Sequence, residues 1–281
     1  MDETLIISSN DAHGKYLPTL LARKLEKNDI PVLLSSVCWP RDEFFFYPDG
    51  KCDYVQKGTC QPDFQPHFAW NGGTYLEGNN FIIASLTANP ESKQKATHNV
   101  LGVENGFYFD ISEELDSLSH IKVNGKRELF SSEFPHIDLV YNICNAAQTL
   151  LTYNHPKLIE KGVDMAHKTN YSLQTIPLEE AVYASIGFVE FGEKIILDKR
   201  AKKTKNILKD IGYDVITTPF ALKKTNSYGG SLRCMTQEIP IPLERIVLKR
   251  PEDYSFVGRN FMYNTKGQTI KTESGYSFEL N

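Results

Sequence analysis

The stretch from Gly229 to Pro240, which reads GGSLRCMTQEIP, contains a thiol in a setting suited to covalent chemistry. The pair Gly229-Gly230 lets backbone or ligand approach closely just before Cys234. Arg233, next to the thiol, would favour the thiolate electrostatically. A buried, unreactive cysteine is the alternative for this stretch taken alone, because free cysteine is among the most buried residue types.

A histidine and a carboxylate in the middle of the chain are candidates for proton transfer. The sequence Pro135-His136-Ile137-Asp138 begins a predicted strand, in which alternation places His136 and Asp138 on one face. The carboxylate could orient the imidazole ring or share a cationic ligand with it, as general acid-base catalysis requires. Taken alone, His136-Ile137-Asp138 would more simply be a surface histidine and aspartate at the start of a strand.

Two predicted loops nearer the N-terminus carry groups that could hold a cation. Arg41 and Asp42 end the sequence CWPRD, and Asp42 could accept two parallel hydrogen bonds from a planar guanidinium. Asn71 precedes Gly72-Gly73, a turn that leads into a hairpin. A local ion pair and an ordinary loop are the simpler interpretations of these two stretches.

The elements that must position these clusters alternate between strands, hairpins and helices. Apolar spacing predicts strands at 4–8, 30–35, 137–142 and 214–218, helices at 14–27, 156–168, 178–185 and 202–211, and hairpins over 43–55, 74–85 and 187–197. About one strand-rich unit per 40 to 60 residues indicates structural repeats. Because no Pro-rich or Ser-rich linker divides the chain, we predict a single α/β domain over residues 1–281.

Composition argues against several classes of partner. The chain has 31 basic and 35 acidic residues and a formal net charge of -4, without a long run of one sign, so we expect no nucleic-acid partner. Nothing approaches the roughly 20 apolar residues of a membrane span, and the start, MDET, is unlike a signal peptide. Five cysteines without C-x-x-C spacing favour free thiols in a reducing cytosol. We therefore expect a soluble cytoplasmic protein without membrane contact, and a homodimer stays open.

In this order along the chain, the four clusters resemble the guanidine-modifying enzyme superfamily, which includes arginine deiminase, agmatine deiminase, dimethylarginine dimethylaminohydrolase and the amidinotransferases. The corresponding stretches are WPRD at 39–42, NGG at 71–73, HID at 136–138 and GGSLRCMTQ at 229–237. The resemblance spans positions 39 to 240. It implies the pentein fold, a five-bladed α/β propeller with its site at the central axis.

The resemblance also implies a role for each cluster and a small guanidine compound as substrate. Cys234 would attack the guanidinium carbon, His136 would transfer protons, and Asp42 and Asp138 would hold the guanidinium nitrogens. The further substrate-binding residues that we predict are Asn71, Arg41, Gly230 and Arg233. Neither a metal nor an organic cofactor is implied. Asn71 stands where most relatives carry Glu or Asp, and Arg233 is similar to arginine deiminase, whereas agmatine deiminases have His before the cysteine.

Several functions fit this resemblance. The first is a hydrolase, of the deiminase or dihydrolase type, that acts on arginine or an arginine-like small molecule through a covalent thiouronium intermediate. An amidinotransferase would use the same intermediate and pass the amidino group to an amine. A non-catalytic binding protein on a pentein scaffold is a third alternative, and an arginine side chain within a protein is a fourth alternative as substrate.

Overall fold

The computed structural model describes residues 3–8, 17–35, 39–46, 52–54, 73, 75–85, 105–123, 127–128, 130, 136–227, 230–239 and 262–263. Its strands are β1 (Thr4–Ser8), β2 (Val32–Ser35), β3 (Phe44–Phe46), β4 (Cys52–Tyr54), β5 (Tyr75–Glu77), β6 (Phe81–Ser85), β7 (Asn105–Phe109), β8 (Lys122–Val123), β9 (Arg127–Glu128), β10 (Tyr141–Cys144), β11 (Thr149–Tyr153), β12 (Ser172–Ile176), β13 (Val189–Phe191), β14 (Lys194–Leu197), β15 (Asp214–Thr217), β16 (Thr236–Ile239) and β17 (Met262–Tyr263).

The helices lie between these strands, as an α/β fold requires. They are α1 (Leu17–Glu26), α2 (Pro40–Glu43), α3 (Ser112–Ser117), α4 (Pro156–Thr169), α5 (Lys202–Asp210) and α6 (Lys223–Ser227), with 3-10 helices at Ile137–Leu139 and Leu178–Tyr183. Among the described residues, no helix has the length and apolarity needed to cross a bilayer.

One pattern of strand pairing recurs in four sheets of the described chain. Each has an antiparallel pair followed by a parallel neighbour: β5-β6-β7, β10-β11-β12, β13-β14-β15 and β16-β1-β2. A helix crosses between the parallel strands in three of them, namely α1, α4 and α5. The repeats predicted from the sequence are therefore present as supersecondary units.

Helix α4 illustrates how the sequence forms these crossovers. Pro156 occupies the first turn, where the missing amide hydrogen is not needed. Leu158, Met165 and Ala166 recur at helical spacing and form its buried face. The helix ends where Asn170 adopts a left-handed conformation with φ of 57° and donates its backbone N–H to the last turn.

Most predicted elements form, and three differ in type. The predicted strand at 137–142 begins with a 3-10 helix, because Leu139 and Val140 donate their N–H groups to the carbonyls of His136 and Ile137. The predicted helix at 178–185 is also a 3-10 helix and ends where Ala184 adopts a φ of 49°. Helix α2 replaces the loop predicted for CWPRD, with Pro40 at its first position.

Two apolar cores hold the site segments in place. Ile137 and Leu139 belong to the first core, so Asp138 between them is fixed by its buried neighbours. Leu232 and Met235 belong to the second core, which also contains β1 and β2, and they flank Arg233 and Cys234 in sequence.

Candidate active site

Cys234 lies on a tight turn directly before β16. The N–H groups of Met235 and Thr236 donate to the carbonyls of Ser231 and Arg233, which makes residues 231–236 a helical turn. Arg233 N–H donates to the carbonyl of Gly187 at 2.9 Å, so the turn is also tied to the segment before β13. Cys234 is 5% exposed and has no disulfide. The thiol is therefore held in a fixed, largely dry position.

Ser231 contacts Cys234 through its side chain. The Oγ atom of Ser231 lies 3.3 Å from the Sγ atom of Cys234 and accepts the backbone N–H of Cys234 at 3.4 Å. Gly187 packs against Ser231 so closely that a Cβ at residue 187 would overlap the Ser231 side chain. The hydroxyl is thus fixed by backbone on one side and by the thiol-bearing residue on the other.

His136 and Asp138 face each other across the start of the 3-10 helix. The Nδ1 atom of His136 lies 4.0 Å from Oδ1 of Asp138, whose side chain is fully buried. The N–H of Asp138 donates to the carbonyl of Gly73 at 3.3 Å, and a Cβ at Gly73 would overlap the His136 ring. The proximity that the sequence predicted is present, although a 3-10 turn and not strand alternation produces it.

The guanidinium of Arg233 connects the segment that contains Cys234 to the segment that contains His136. Its Nε atom lies 3.5 Å from Oδ2 of Asp138, and its Nη1 donates to Oδ1 of Asn142 at 3.4 Å. Asn142 donates in turn to the carbonyls of Ile186 and Phe188. Burial lowers the pKa of Arg233, and repulsion from the nearby Arg41 lowers it further.

Helix α2 is attached to the same turn. The ring of Trp39 packs on Gly230, where a Cβ would overlap it, and the Nε of Arg41 donates to the carbonyl of Arg233 at 3.1 Å. Arg41 also forms an ion pair with Glu238. Burial lowers the pKa of Arg41, but the attraction and hydrogen bond of Glu238, together with the charges of Tyr75 and Asp138, outweigh burial and raise the pKa overall.

The structure describes the environment of six of the eight predicted site residues, all except Asp42 and Asn71. Asp138 has contacts with both His136 and Arg233, and the carbonyl of Arg233 contacts Arg41. The backbone of Asp42 lies in α2, but its side chain is outside the described part of the protein. The whole of Asn71 is also outside the described residues. Gly230 contacts the Trp39 ring, and both arginines make contacts within the protein.

Sequence reasoning missed residues that support these side chains. Glu238 and Asn142 hold the two arginines, and Gly73 and Gly187 are glycines because a side chain would overlap His136 or Ser231. Gly73 belongs to the NGG motif at 71–73. The requirement for glycine there comes from close packing against the imidazole of His136, which lies far along the chain. Nothing in the local sequence around Glu238, Asn142 or Gly187 indicates their partners.

A cavity of about 840 Å³ lies beside the two arginines. Arg41 and Arg233 line it together with Glu77, Glu190 and Glu238, whereas Cys234, His136 and Asp138 are not among its described lining residues. The described residues contain no group of three or more His, Cys, Asp or Glu side chains that could hold a metal ion.

Comparison with known proteins shows which fold this is. No protein-family model and no curated protein matches the sequence. The structure is similar to a mutant dimethylarginine dimethylaminohydrolase from Pseudomonas aeruginosa complexed with citrulline, at a TM-score of 0.57 and 10% identity, covering 85% of this chain and 100% of that one. It is similar to the agmatine deiminase of Enterococcus faecalis at a TM-score of 0.52 and 10% identity, covering 85% and 93%.

A third solved structure, an arginine dihydrolase from the ornithine-ammonia cycle in cyanobacteria, matches at a TM-score of 0.57 and 13% identity, covering 89% of this chain and 41% of that one. At these identities the likeness concerns the fold. The chain therefore shares the α/β pentein fold of these solved structures, as the resemblance implied.

Proposed function

We propose that the protein is a cysteine-dependent hydrolase that acts on the guanidinium carbon of arginine or an arginine-like small molecule. The observation that carries the proposal is the contact between Arg233 and Asp138, with 3.5 Å from Nε to Oδ2. It links the residue before Cys234 to the carboxylate beside His136, so that a thiol, an imidazole and a carboxylate come from two neighbouring segments. A binding scaffold would not require this combination of groups.

The names of the structural neighbours support the same chemistry. One is a dimethylarginine dimethylaminohydrolase complexed with citrulline, which carries a ureido group, and the others are named as an agmatine deiminase and an arginine dihydrolase. Each name describes a compound with a guanidinium group or the product of its hydrolysis. We extend this substrate class to the present chain.

The proposed reaction proceeds in two steps. The thiolate of Cys234 attacks the guanidinium carbon and forms a C–S bond, while His136 gives a proton to the leaving ammonia or amine as its C–N bond breaks. Water then attacks the thiouronium carbon and gives a proton to His136, and the C–S bond breaks to restore the thiolate. The sum is a guanidinium and one water converted into a ureido group and an ammonium ion.

Asp138 and Asp42 are proposed to hold the guanidinium nitrogens during these steps, with Asn71 as a neutral partner. A buried carboxylate beside a cation keeps its charge, and a charged acceptor binds a guanidinium strongly through paired hydrogen bonds. We further propose that the four repeated sheets belong to a five-bladed propeller that makes up a single domain over residues 1–281. The site would then lie at the axis of that propeller.

The test is a panel of guanidines assayed for ureido product and for released ammonia or amine. L-arginine, N-methylated arginines, agmatine and an arginine-containing peptide would each be incubated with the protein and with C234A. We expect product from at least one free guanidine, none with C234A, and unchanged turnover with C144S, which alters a buried thiol in β10. Product that forms only with an added amine would favour amidino transfer. Absence of product from every compound would contradict the proposal.

A further inference from the structure

The side chain of Ser231 contacts the sulfur of Cys234. Its Oγ lies 3.3 Å from Sγ, which is within hydrogen-bonding range for sulfur, and both residues are buried. The sequence predicts Cys234 as the nucleophile, His136 as the proton carrier and Arg233 as a cation that favours the thiolate, whereas a hydrogen bond to the sulfur is not among these predictions.

The donors and acceptors around the Ser231 hydroxyl determine which atom donates the hydrogen bond when Cys234 is ionised. A serine hydroxyl has one hydrogen to donate and two lone pairs to accept with. One lone pair accepts the backbone N–H of Cys234 at 3.4 Å. The O–H group is left to point elsewhere, and a thiolate has no hydrogen of its own, so a contact between Oγ and ionised sulfur has the hydroxyl as donor.

The position of the hydroxyl is imposed by the fold. A Cβ at Gly187 would overlap Cβ and Oγ of Ser231, and the carbonyl of Gly187 accepts the N–H of Arg233. The carbonyl of Ser231 accepts the N–H of Met235, which closes the turn. Ser231 therefore approaches the sulfur without the entropy loss that a mobile side chain would have to undergo.

We propose that Ser231 is a catalytic residue that stabilises the thiolate of Cys234 by donating a hydrogen bond from its hydroxyl to the sulfur. Ser231 keeps its proton throughout, and the thiol proton leaves to His136 or to water. This inference rests on the proposed function for its catalytic meaning, since there Cys234 is the nucleophile. Its physical content, a hydroxyl that lowers the energy of the ionised sulfur, does not depend on any substrate.

The experiment measures alkylation of Cys234 by iodoacetamide as a function of pH, followed by mass spectrometry of the peptide that contains it. Wild type, S231A and S231T are compared, with S185A as the matched control because Ser185 is also fully buried. A hydrogen bond to a charged group is worth enough to move the apparent pKa of the thiol by about one unit. We therefore expect S231A to shift the pH profile upward by about one unit and S185A to leave it unchanged.

S231T keeps the hydroxyl and should stay within about 0.3 units of wild type, which separates the loss of the donor from a change in packing. Ser231→Gly removes the same hydroxyl and repeats the test if S231A does not fold. An unchanged profile in S231A or S231G, or an equal shift in S231T, would overturn the role of Ser231.

Because alkylation needs no guanidine, this result is independent of the substrate panel. A shifted profile without guanidine turnover would refute the proposed function and leave the thiolate contact standing. Guanidine turnover with an unshifted profile would support the proposed function and refute the role of Ser231.

Discussion

The Nε atom of Arg233 lies 3.5 Å from Oδ2 of Asp138, and the Asp138 side chain is fully buried. A guanidinium of the protein thus occupies one side of the carboxylate that is proposed to hold the guanidinium of the substrate. Arg233 is also nine-tenths buried, so the pair is a buried ion pair whose members depend on each other for charge compensation. Removal of this ion pair should lower the stability of the whole protein as well as change the site.

We expect R233M to lower the free energy of unfolding by about 3 to 5 kcal/mol, because it leaves the buried Asp138 carboxylate without this cation. Urea unfolding followed by circular dichroism would measure the change. The control is K203M, which removes the cation of an exposed pair with Glu179 at 2.5 Å and should leave the unfolding curve unchanged. Equal stability of R233M and K203M would show that the Arg233 pair is not a structural contact.

G73A should reduce kcat by roughly 100-fold, because the new Cβ displaces the His136 imidazole from its position and small misplacements of catalytic groups are costly. Steady-state kinetics on the guanidine found active in the panel would measure this. G78A is the matched control, since its Cβ overlaps the Phe81 ring in the first core. It should lower stability by about 1 to 3 kcal/mol with kcat close to wild type. A kcat for G73A equal to that of G78A would argue against the position of His136.

Glu190 should make the protein less stable as the pH rises from mildly acidic to neutral. Burial raises the pKa of Glu190 above its ordinary value of 4.5, although the hydroxyl of Tyr213 and the backbone N–H groups of Asn145 and Ala146 donate to the carboxylate and act against this shift. The folded protein then keeps a proton that the unfolded chain has released. The free energy of unfolding therefore falls as the pH rises from 4.5 through the raised pKa.

E190Q removes this titration, so its unfolding free energy should depend less on pH than that of wild type. Urea unfolding at several pH values between about 4.5 and 7 would compare the slopes. E193Q, at the turn between β13 and β14, also removes one charge and serves as the reference. If E190Q and wild type have the same slope, then Glu190 is not the source of the pH dependence.

Cys144 should resist alkylation in the folded protein. It is fully buried in β10, and burial raises the pKa of its thiol, with a further increase from the charge of Glu190. At pH 8 its reaction with iodoacetamide should be roughly 100-fold slower than in urea, because it requires opening of the sheet. Peptide mass spectrometry before and after denaturation measures both rates, and rapid labelling of Cys144 in the native protein would contradict its position.

The sequence predicted elements better than it predicted their contacts. Strands such as β1 and β6 form where short apolar runs lie between polar turns, because local pattern and burial agree there. The stretch at 137–139 was assigned to a strand because three residues cannot distinguish strand alternation from one 3-10 turn. His136 and Asp138 approach each other in either geometry, which is why that pairing was predictable.

The sequence proposes the site as a set of residues but not as a set of contacts. The residue types of Cys234, His136 and Asp138 already indicate a thiol, an imidazole and a carboxylate that could act together. The contacts of Arg233 with Asp138 and of Trp39 with Gly230 arise from packing between distant segments, and no spacing along the chain encodes them. The need for glycine at positions 187 and 230 is of the same kind, since the overlapping atoms belong to Ser231 and Trp39.

Strand β1 pairs with β16 on one side and β2 on the other, with Ile7 opposite Thr236. During synthesis on the ribosome, β1 and β2 emerge early, and the outer hydrogen-bonding edge of β1 has no partner until β16 has been made. At about 5 to 20 residues per second, that interval is on the order of 10 to 50 seconds. Cys234, which lies directly before β16, therefore reaches its contacts with the rest of the fold in the same late event that covers this edge.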